Sequence, residues 1–296
     1  MKTQPLVSVV IPCFNHEKFV KDAILSVIEQ SYKNIELIII DDGSSDDSVL
    51  KISEMIELCE RRFIRFGFRH RANMGLCATL NEALTWCSGV YFAPFASDDI
   101  LRSYKIEQQV AYMESHLKSA GVFGRVDVID ASGKIQKKMH KESGGVKKYH
   151  FNDIFLLKYN LPAPSQMLRT AIVKKVGGYN KKFTLEDFSM WLAMTELGLT
   201  LDFVDRVYAS YRRHASNTSS NFDQMLIGRL EILQIYKSHK NYCKAEAASY
   251  LLSAHEWQKY SKQRSAYALI KAFFVDWRIL FNFSFAKYII KFFVRW

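Results

Sequence analysis

Short apolar runs alternate with amphipathic stretches through the first hundred residues of this chain. The apolar, β-branched runs predict buried strands at residues 6–11, 35–40, 63–68 and 89–95. Apolar residues at helical spacing between them predict helices at residues 16–30, from the mid-forties to about 59, and at 76–86. Because strand and helix alternate four times, the pattern predicts an α/β fold with a mainly parallel central sheet and helices on both faces.

The alternation becomes less regular after residue 100. The pattern predicts helices at 106–113 and 188–197, strands at 121–129 and 201–211, a mobile loop at 141–149, and short helices at 154–158 and 171–176. From residue 224 onward the pattern is almost entirely helical. We therefore expect one α/β domain over residues 1–221 and a helical C-terminal region over residues 222–296.

Polar clusters follow three of the predicted strands, at residues 12–15, 41–44 and 97–99. In an open α/β sheet, ligands bind beyond the carboxyl ends of the strands. Topology alone therefore brings these three clusters to one rim of the sheet, although they are far apart in the sequence.

Two adjacent carboxylates, Asp98 and Asp99, end the strand at residues 89–95. Neighbouring carboxylates repel each other unless a cation or a basic group lies beside them. Carboxylate oxygens suit Mg²⁺ or Mn²⁺, which often complete their coordination with substrate phosphates. A helix cap is the alternative for this pair. Since neither a Walker A motif nor GxGxxG occurs, a metal ion would have to neutralise a bound diphosphate, and this favours a metal at Asp98.

Three other polar sites each have two interpretations. Asp41 and Asp42 can accept hydrogen bonds from a ribose or a base, or cap the next helix. Asp187, in the pair Glu186-Asp187, can act as a general base for a sugar hydroxyl, or the pair can cap the helix at 188–197. His214 can bind a metal ion as a neutral imidazole, or be structural, and the arginines before it, Arg212 and Arg213, can contact phosphate.

Five motifs occur in order: VSVVIPCFN at 7–15, IIIDDGSSD at 38–46, NMG at 73–75, ASDD at 96–99 and ED at 186–187. Together they resemble the family 2 inverting glycosyltransferases, which have the Rossmann-like GT-A fold. The resemblance spans about residues 5–219. It implies a metal-dependent enzyme that transfers a sugar from a nucleotide-sugar donor, with a UDP-sugar favoured on family frequency, to a hydroxyl of a glycan acceptor.

The resemblance also implies roles for individual residues. The residues expected to bind the nucleotide sugar are Pro12, Phe14, Asn15, Glu17, Asp41, Asp42, Asn73, Ser97 and Asp98. Asp98 and His214 are expected to bind Mn²⁺ or Mg²⁺, and Asp187 to be the catalytic base. Asp99 and Glu186 are expected to orient a loop or the acceptor.

One position departs from the family pattern. Ala96 stands where the family's DxD motif has its first aspartate. This change favours the alternative interpretation, a non-catalytic relative that binds nucleotide sugars or glycans. The carboxylates of Asp98, Asp99 and Asp187 favour an enzyme.

The chain carries a net charge of +11, and residues 222–296 hold 12 Lys/Arg against 5 Asp/Glu. Aromatic residues crowd the same region, and Lys287, Lys291 and Arg295 recur every four residues, as on one helix face. This pattern predicts helices lying on an anionic membrane surface, with a helical subdomain or a homo-oligomer contact as the alternative. Nucleic-acid binding is not expected, because the spacing is helical and no nucleic-acid motif occurs.

A membrane-facing region would place the site beside lipid-linked glycans, so we expect a lipid-linked acceptor and a role in surface polysaccharide synthesis. The start of the chain lacks the pattern of a secretion signal. The five cysteines include no CxxC pair, which predicts reduced thiols. We therefore expect a cytoplasmic enzyme, peripheral on the inner face of the cell membrane.

Overall fold

The computed structural model describes residues 4–137, 142–214, 221–281, 285–286 and 288–289. The chain forms two compact units. The first comprises the described residues up to His150, with Asn160–Lys181 and residues 193–214. The second comprises Phe151–Tyr159, Lys182–Leu192 and the described residues from 221 onward. The predicted boundary at residue 221 stays a prediction, and in this division the segment with Glu186 and Asp187 groups with the C-terminal helices.

The described residues contain ten strands: β1 (Val7–Cys13), β2 (Ile35–Asp41), β3 (Arg65–His70), β4 (Tyr91–Pro94), β5 (Ile100–Leu101), β6 (Ser119–Ile129), β7 (Ile135–Lys137), β8 (Val146–Tyr149), β9 (Met167–Arg169) and β10 (Thr200–Arg212). Their helices are α1 (Val20–Ile28), α2 (Ser48–Ser53), α3 (Ile56–Arg62), α4 (Leu76–Trp86), α5 (Lys105–Ser115), α6 (Phe151–Phe155), α7 (Thr170–Lys175), α8 (Glu186–Glu196), α9 (Phe222–Gln234), α10 (Tyr242–Trp257) and α11 (Lys262–Val275). The four strands predicted before residue 100 are all present, within two or three residues of the expected bounds.

The ten strands form one sheet in the first unit. Its main order is β3-β2-β1-β4-β9-β6-β10-β5, with β7 added to β6 and β8 added to β10. The pairs among β3, β2, β1 and β4 are parallel, as the sequence predicts. The short strand β9 runs antiparallel between β4 and β6, so the whole sheet is mixed. The expected α/β fold class is confirmed.

The register of the parallel strands aligns their carboxyl ends. Cys13 at the end of β1 lies opposite Asp41 at the end of β2, and Asp41 lies opposite His70 at the end of β3. Every residue of β2 is buried, because α/β sheets are covered on both faces. This register brings the polar clusters to a common rim.

Two sequence expectations about local structure are wrong. Residues 141–149 were expected to form a mobile loop, but Val146–Tyr149 is strand β8, antiparallel to β10. Three of its four residues are exposed, so its lysines face solvent and hide the strand pattern. The single helix expected up to about residue 59 is instead two short helices, α2 and α3.

The second unit is helical. Its described part comprises α6, the start of α8, the helices α9, α10 and α11, and a 3-10 turn at Trp277–Phe281. Small side chains let α10 and α11 pack closely around a buried cluster made of Ala247, Leu251, Ala254, Ala268, Ala272, Ile279 and Tyr288. Among the described residues, no helix has both the length and the apolar character needed to cross a bilayer.

Candidate active site

Asp41 lies fully buried at the rim, where it organises its own turn. Its Oδ1 accepts a hydrogen bond from the Ser44 backbone N–H at 2.9 Å and lies 2.8 Å from His70 Nδ1. Its Oδ2 accepts from the Ser44 hydroxyl at 2.5 Å. The protein itself thus uses both oxygens, and it uses them in the turn at Ser44 and not as a cap of α2, which begins at Ser48.

Asp42 is also buried and ties a neighbouring loop to the strand end. Its Oδ1 pairs with Arg71 and accepts from the Met74 N–H at 2.8 Å, and its Oδ2 accepts from the Gly75 N–H at 2.8 Å. Asp42 therefore shapes the loop that carries Asn73.

The next residue, Gly43, allows this loop to come close. Its φ of +80° is in the left-handed region, and a Cβ there would lie 2.6 Å from the Asn73 backbone N. Only glycine fits both conditions without strain. Asn73 itself is exposed at the rim, so its side chain remains accessible to a ligand.

The loop after β1 is joined to the turn after β2. Asn15 has a φ of +53°, a conformation that asparagine tolerates better than most residues, and its Oδ1 accepts from the Ser45 N–H at 2.8 Å. Glu17 Oε2 accepts from the Asp47 N–H at 3.0 Å. Pro12 is half-buried and the ring of Phe14 is 46% exposed. Their expected nucleotide contacts stay predictions.

Three potential metal ligands converge beside this rim. One ligand atom from each of His16, Asp98 and His214 lies within 4.8 Å of the others. Asp98 Oδ2 is 2.8 Å from His214 Nε2, and His16 Nδ1 is 2.7 Å from the hydroxyl of Ser97. The structure thus brings together Ser97, Asp98 and His214, which the sequence singled out, and adds His16.

This set fits a divalent cation. Two neighbouring ligands of an octahedral ion at about 2.1 Å lie about 3 Å apart, which is close to the separation of the Asp98 and His214 atoms. Burial lowers the pKa of His16, against the opposing charge of Asp98. The imidazole is therefore neutral, the form that binds metals. Imidazole nitrogen suits Mn²⁺ better than Mg²⁺, which prefers an all-oxygen set.

The sequence allowed Arg212 and Arg213 as phosphate ligands, but Arg212 is buried in the structure. Its Nε donates to the Asp98 carbonyl at 2.7 Å, and its backbone N–H donates to Asp99 Oδ1 at 2.9 Å. Its guanidinium lies 4.9 Å from the ring centroid of Phe19, and this ring stacks on His214 at 5.0 Å. Arg212 therefore fixes the loop that presents the metal ligands.

Asp99 is fully buried behind Asp98. Its Oδ2 has no hydrogen-bond partner in the described part of the chain. Burial and the charge of Asp98 raise the pKa of Asp99 well above its usual range, against the opposing effect of Arg212. The hydrogen bond from the Arg212 backbone joins this loop to β10, and the loop-orienting role expected for Asp99 stays a prediction.

Glu186 and Asp187 lie in the second unit, in the first turn of α8. Burial and the charge of Asp187 raise the pKa of Glu186 to about 8. Two adjacent carboxyl groups share protons in this way when both cannot ionise. Because this pKa lies above 7, Glu186 is protonated at neutral pH.

Solved structures share this fold. The chain matches a structure of S. aureus TarS residues 1–349 in complex with UDP-GlcNAc, with a TM-score of 0.61, 15% identity and coverage of 97% of this chain and 89% of that one. It also matches the mannosyltransferase PcManGT from Pyrobaculum calidifontis in complex with GDP-Man and Mn²⁺, with a TM-score of 0.66, 12% identity and coverage of 99% and 87%. The fold is that of the GT-A glycosyltransferases.

Sequence relatives define the family. The sequence model of Glycosyl transferase family 2 matches residues 8–177. An uncharacterized glycosyltransferase of Haemophilus influenzae is 31% identical over 75% of this chain and 70% of its own length. Another, from Methanocaldococcus jannaschii, is 28% identical over 81% and 82%. The chain belongs to glycosyl transferase family 2, and the resemblance seen in its motifs is confirmed.

Proposed function

We propose that this glycosyltransferase moves a sugar from a nucleoside diphosphate donor to a hydroxyl of a glycan acceptor, with inversion, and that it needs Mn²⁺ or Mg²⁺. The observation that carries the proposal is the meeting of His16, Asp98 and His214 next to the rim where β1 and β2 end. A carboxylate and two imidazoles at such a rim are suited to a metal ion that carries a diphosphate.

The donor is proposed to lie along the rim, with the exposed ring of Phe14 and the exposed Asn73 beside the nucleotide. We favour a UDP-sugar, with a hexose or N-acetylhexosamine as the transferred group. The structural neighbours were crystallised with UDP-GlcNAc and with GDP-Man, so a GDP-sugar is the second choice.

The candidate residues have separate proposed tasks. A divalent cation held by His16, Asp98 and His214 would offset the negative charge of the departing diphosphate. Asp187 would accept the proton of the acceptor hydroxyl as it attacks the anomeric carbon. Glu186 is protonated at neutral pH and therefore adds no second negative charge beside Asp187.

A screen of UDP- and GDP-sugars with Mn²⁺ tests this function. We expect one donor to bind and to be slowly hydrolysed without acceptor, and both signals to fall on chelation with EDTA. Calorimetry measures binding, and release of the nucleotide measures hydrolysis. Binding without turnover of any donor or acceptor would favour the non-catalytic alternative, to which Ala96 points. No binding of any donor would contradict both.

The acceptor is proposed to be lipid-linked, because the second unit exposes an apolar stripe suited to a membrane surface. Tyr267, Ile270, Phe274, Trp277 and Phe281 recur along α11 and the following 3-10 turn, and Phe274 and Phe281 are 79% and 82% exposed. Exposed Lys and Arg side chains flank this stripe at Lys271 and Arg278. The predicted stripe of Lys287, Lys291 and Arg295 lies outside the described residues.

Replacing Phe274, Trp277 and Phe281 together with serine is expected to weaken binding to vesicles of phosphatidylcholine and phosphatidylserine at least about tenfold, because aromatic side chains supply most of the interfacial burial. Sedimentation with the vesicles measures the effect. The control replaces Ile64 and Leu117, which are 68% and 78% exposed in the first unit, with serine.

Unchanged vesicle binding of the triple variant would contradict this docking surface. If the wild-type protein is a dimer that does not bind vesicles, and the triple variant is a monomer, the stripe is a homo-oligomer contact instead. Light scattering distinguishes these outcomes.

A further inference from the structure

A buried ion pair lies within the second unit. Arg229 on α9 is 4% exposed, and its guanidinium donates to Glu256 on α10 through Nη1 at 3.2 Å and Nη2 at 2.9 Å. Its Nε is buried without a hydrogen-bond partner among the described residues. Burying a charge costs free energy even when the charge is paired, so stability alone does not explain this ion pair. The pair therefore indicates a second role.

The residue before Arg229 brings α9 against the segment of the proposed base. A Cβ at Gly228 would lie 2.6 Å from Thr184 Oγ1 and 3.0 Å from Leu185 Cγ. Thr184 and Leu185 directly precede Glu186 and Asp187. The backbone of α9 therefore seats the segment that enters α8, and a larger side chain at residue 228 would displace it.

Tyr159 supplies a second connection to the same segment. Its ring stacks on Phe188 with centroids 6.4 Å apart and meets Trp191 edge-on at 5.6 Å. Both partners follow Asp187 on α8. Tyr159 is thereby packed against the helix that begins with the proposed base.

The phenol of Tyr159 also lies in the field of the charges around it. Burial raises the pKa of Tyr159 far above its usual range, and Asp187 and Glu256 raise it further while Arg229 lowers it. The charges of Asp187, Arg229 and Glu256 therefore all act on the hydroxyl of Tyr159.

We propose that the Arg229–Glu256 pair and Gly228 form a positioning device for Asp187, in which Gly228 on α9 sets the place of the segment that carries the base and the charges of the ion pair act on that base. The inference rests on the proposed role of Asp187 as the base. The charged and titratable groups that the described contacts bring to this cluster are Glu186 and Asp187 on α8, Tyr159, Arg229 and Glu256.

Two variants that break the same ion pair test the electrostatic part. Arg229→Met removes a positive charge, so the base loses its proton less readily and the acid limb of kcat against pH should move up by about 0.5 to 1 pH unit. Glu256→Gln removes a negative charge and should move the limb down by a similar amount. A purely structural pair would lower the melting temperature in both variants and move the limb in neither.

Shifts in the same direction, or no shift in either variant, would overturn the inference. The double variant Arg229→Met/Glu256→Gln leaves no unpaired buried charge, so it keeps the test usable if a single variant does not fold. Because the two changes act in opposite directions, the acid limb of kcat against pH in this variant should return close to its wild-type position. An acid limb that stays displaced in the double variant would also overturn the inference.

Gly228→Ala tests the positional part, with Ile227→Ala on the exposed side of the same helix as the control. We expect kcat to fall about tenfold in Gly228→Ala without a change in donor affinity, and neither to change in Ile227→Ala. An unchanged kcat in Gly228→Ala would contradict this part. Wild-type turnover and its loss in Asp187→Asn are measured first, so failure of the proposed function is recognised separately.

Discussion

Replacing Asp187 with asparagine is expected to lower the rate of sugar transfer by about 10²- to 10⁴-fold, the range that a general base contributes. The amide has nearly the shape of the carboxyl group but cannot accept the proton of the acceptor hydroxyl. Donor affinity should stay within about twofold, because this role is confined to the reacting proton. Single-turnover kinetics with saturating donor measure the rate, and calorimetry measures donor affinity.

Glu186→Gln is the matched control, since it makes the same chemical change at the neighbouring residue. Burial and Asp187 raise the pKa of Glu186 to about 8, so the wild-type side chain is already neutral at pH 7. Glutamine imitates that neutral form, and the rate should stay within about threefold of wild type. A large loss in Glu186→Gln with activity retained in Asp187→Asn would show that the two carboxyl groups have the opposite roles.

The same pair makes a prediction about stability. The pKa of Glu186 rises from its usual 4.5 to about 8 on folding, so the folded state holds a proton that the unfolded state has lost between these values. The free energy of unfolding therefore falls as pH rises through this window. Glu186→Gln has no proton to lose at this position, so its free energy of unfolding should exceed that of wild type by about 2 to 4 kcal/mol at pH 8 and above. Thermal unfolding at pH 5 and pH 8 checks this.

The sequence predicted the parallel half of the sheet because each of its strands is a continuous apolar run. It missed β9 and β8 for opposite reasons. β9 is three residues long, too short for a periodic signal, and β8 at the sheet edge exposes its lysines. Long-range pairing with β6 and β10 determines both strands, and no local pattern encodes it.

The site followed the same rule. Asp98 was predictable because a polar pair ends an apolar strand, whereas the role of Asp187 rests on the motifs alone and stays a prediction. His16 was not, because the turn after β1 carries no metal-binding spacing in the sequence. Only the register of the sheet brings it to Asp98 and His214. Arg212 was misread as a phosphate ligand because its burial comes from the fold and not from its neighbours in the sequence.

Asp98→Asn is expected to weaken Mn²⁺ binding at least about 100-fold, because it removes the one carboxylate from a set whose other two members are histidines. Titration of Mn²⁺ followed by its electron paramagnetic resonance signal measures this without any turnover. The experiment is done without donor and then with UDP, since the diphosphate can itself hold the ion. Transfer should fall in parallel with occupancy.

Asp127→Asn is a matched control for this variant. Asp98 and Asp127 are both 4% exposed. Asp127 lies on β6 and forms an ion pair with Arg102 at 2.6 Å, whereas Asp98 faces the two histidines. Loss of a buried carboxylate should destabilise both variants, whereas only Asp98→Asn should lose Mn²⁺. Equal Mn²⁺ affinity in Asp98→Asn and wild type would show that the ion binds elsewhere.

His16→Ala extends the argument from the presence of a metal site to its selectivity. Mg²⁺ prefers oxygen ligands, so a second imidazole should favour Mn²⁺ over Mg²⁺. Removing the His16 imidazole should lower the affinity for Mn²⁺ about tenfold and the affinity for Mg²⁺ much less. The preference of the site for Mn²⁺ over Mg²⁺ should therefore become smaller. If both ions lose affinity equally, His16 orients Ser97 and its loop and does not bind the metal. Competition of Mg²⁺ against bound Mn²⁺ separates these outcomes.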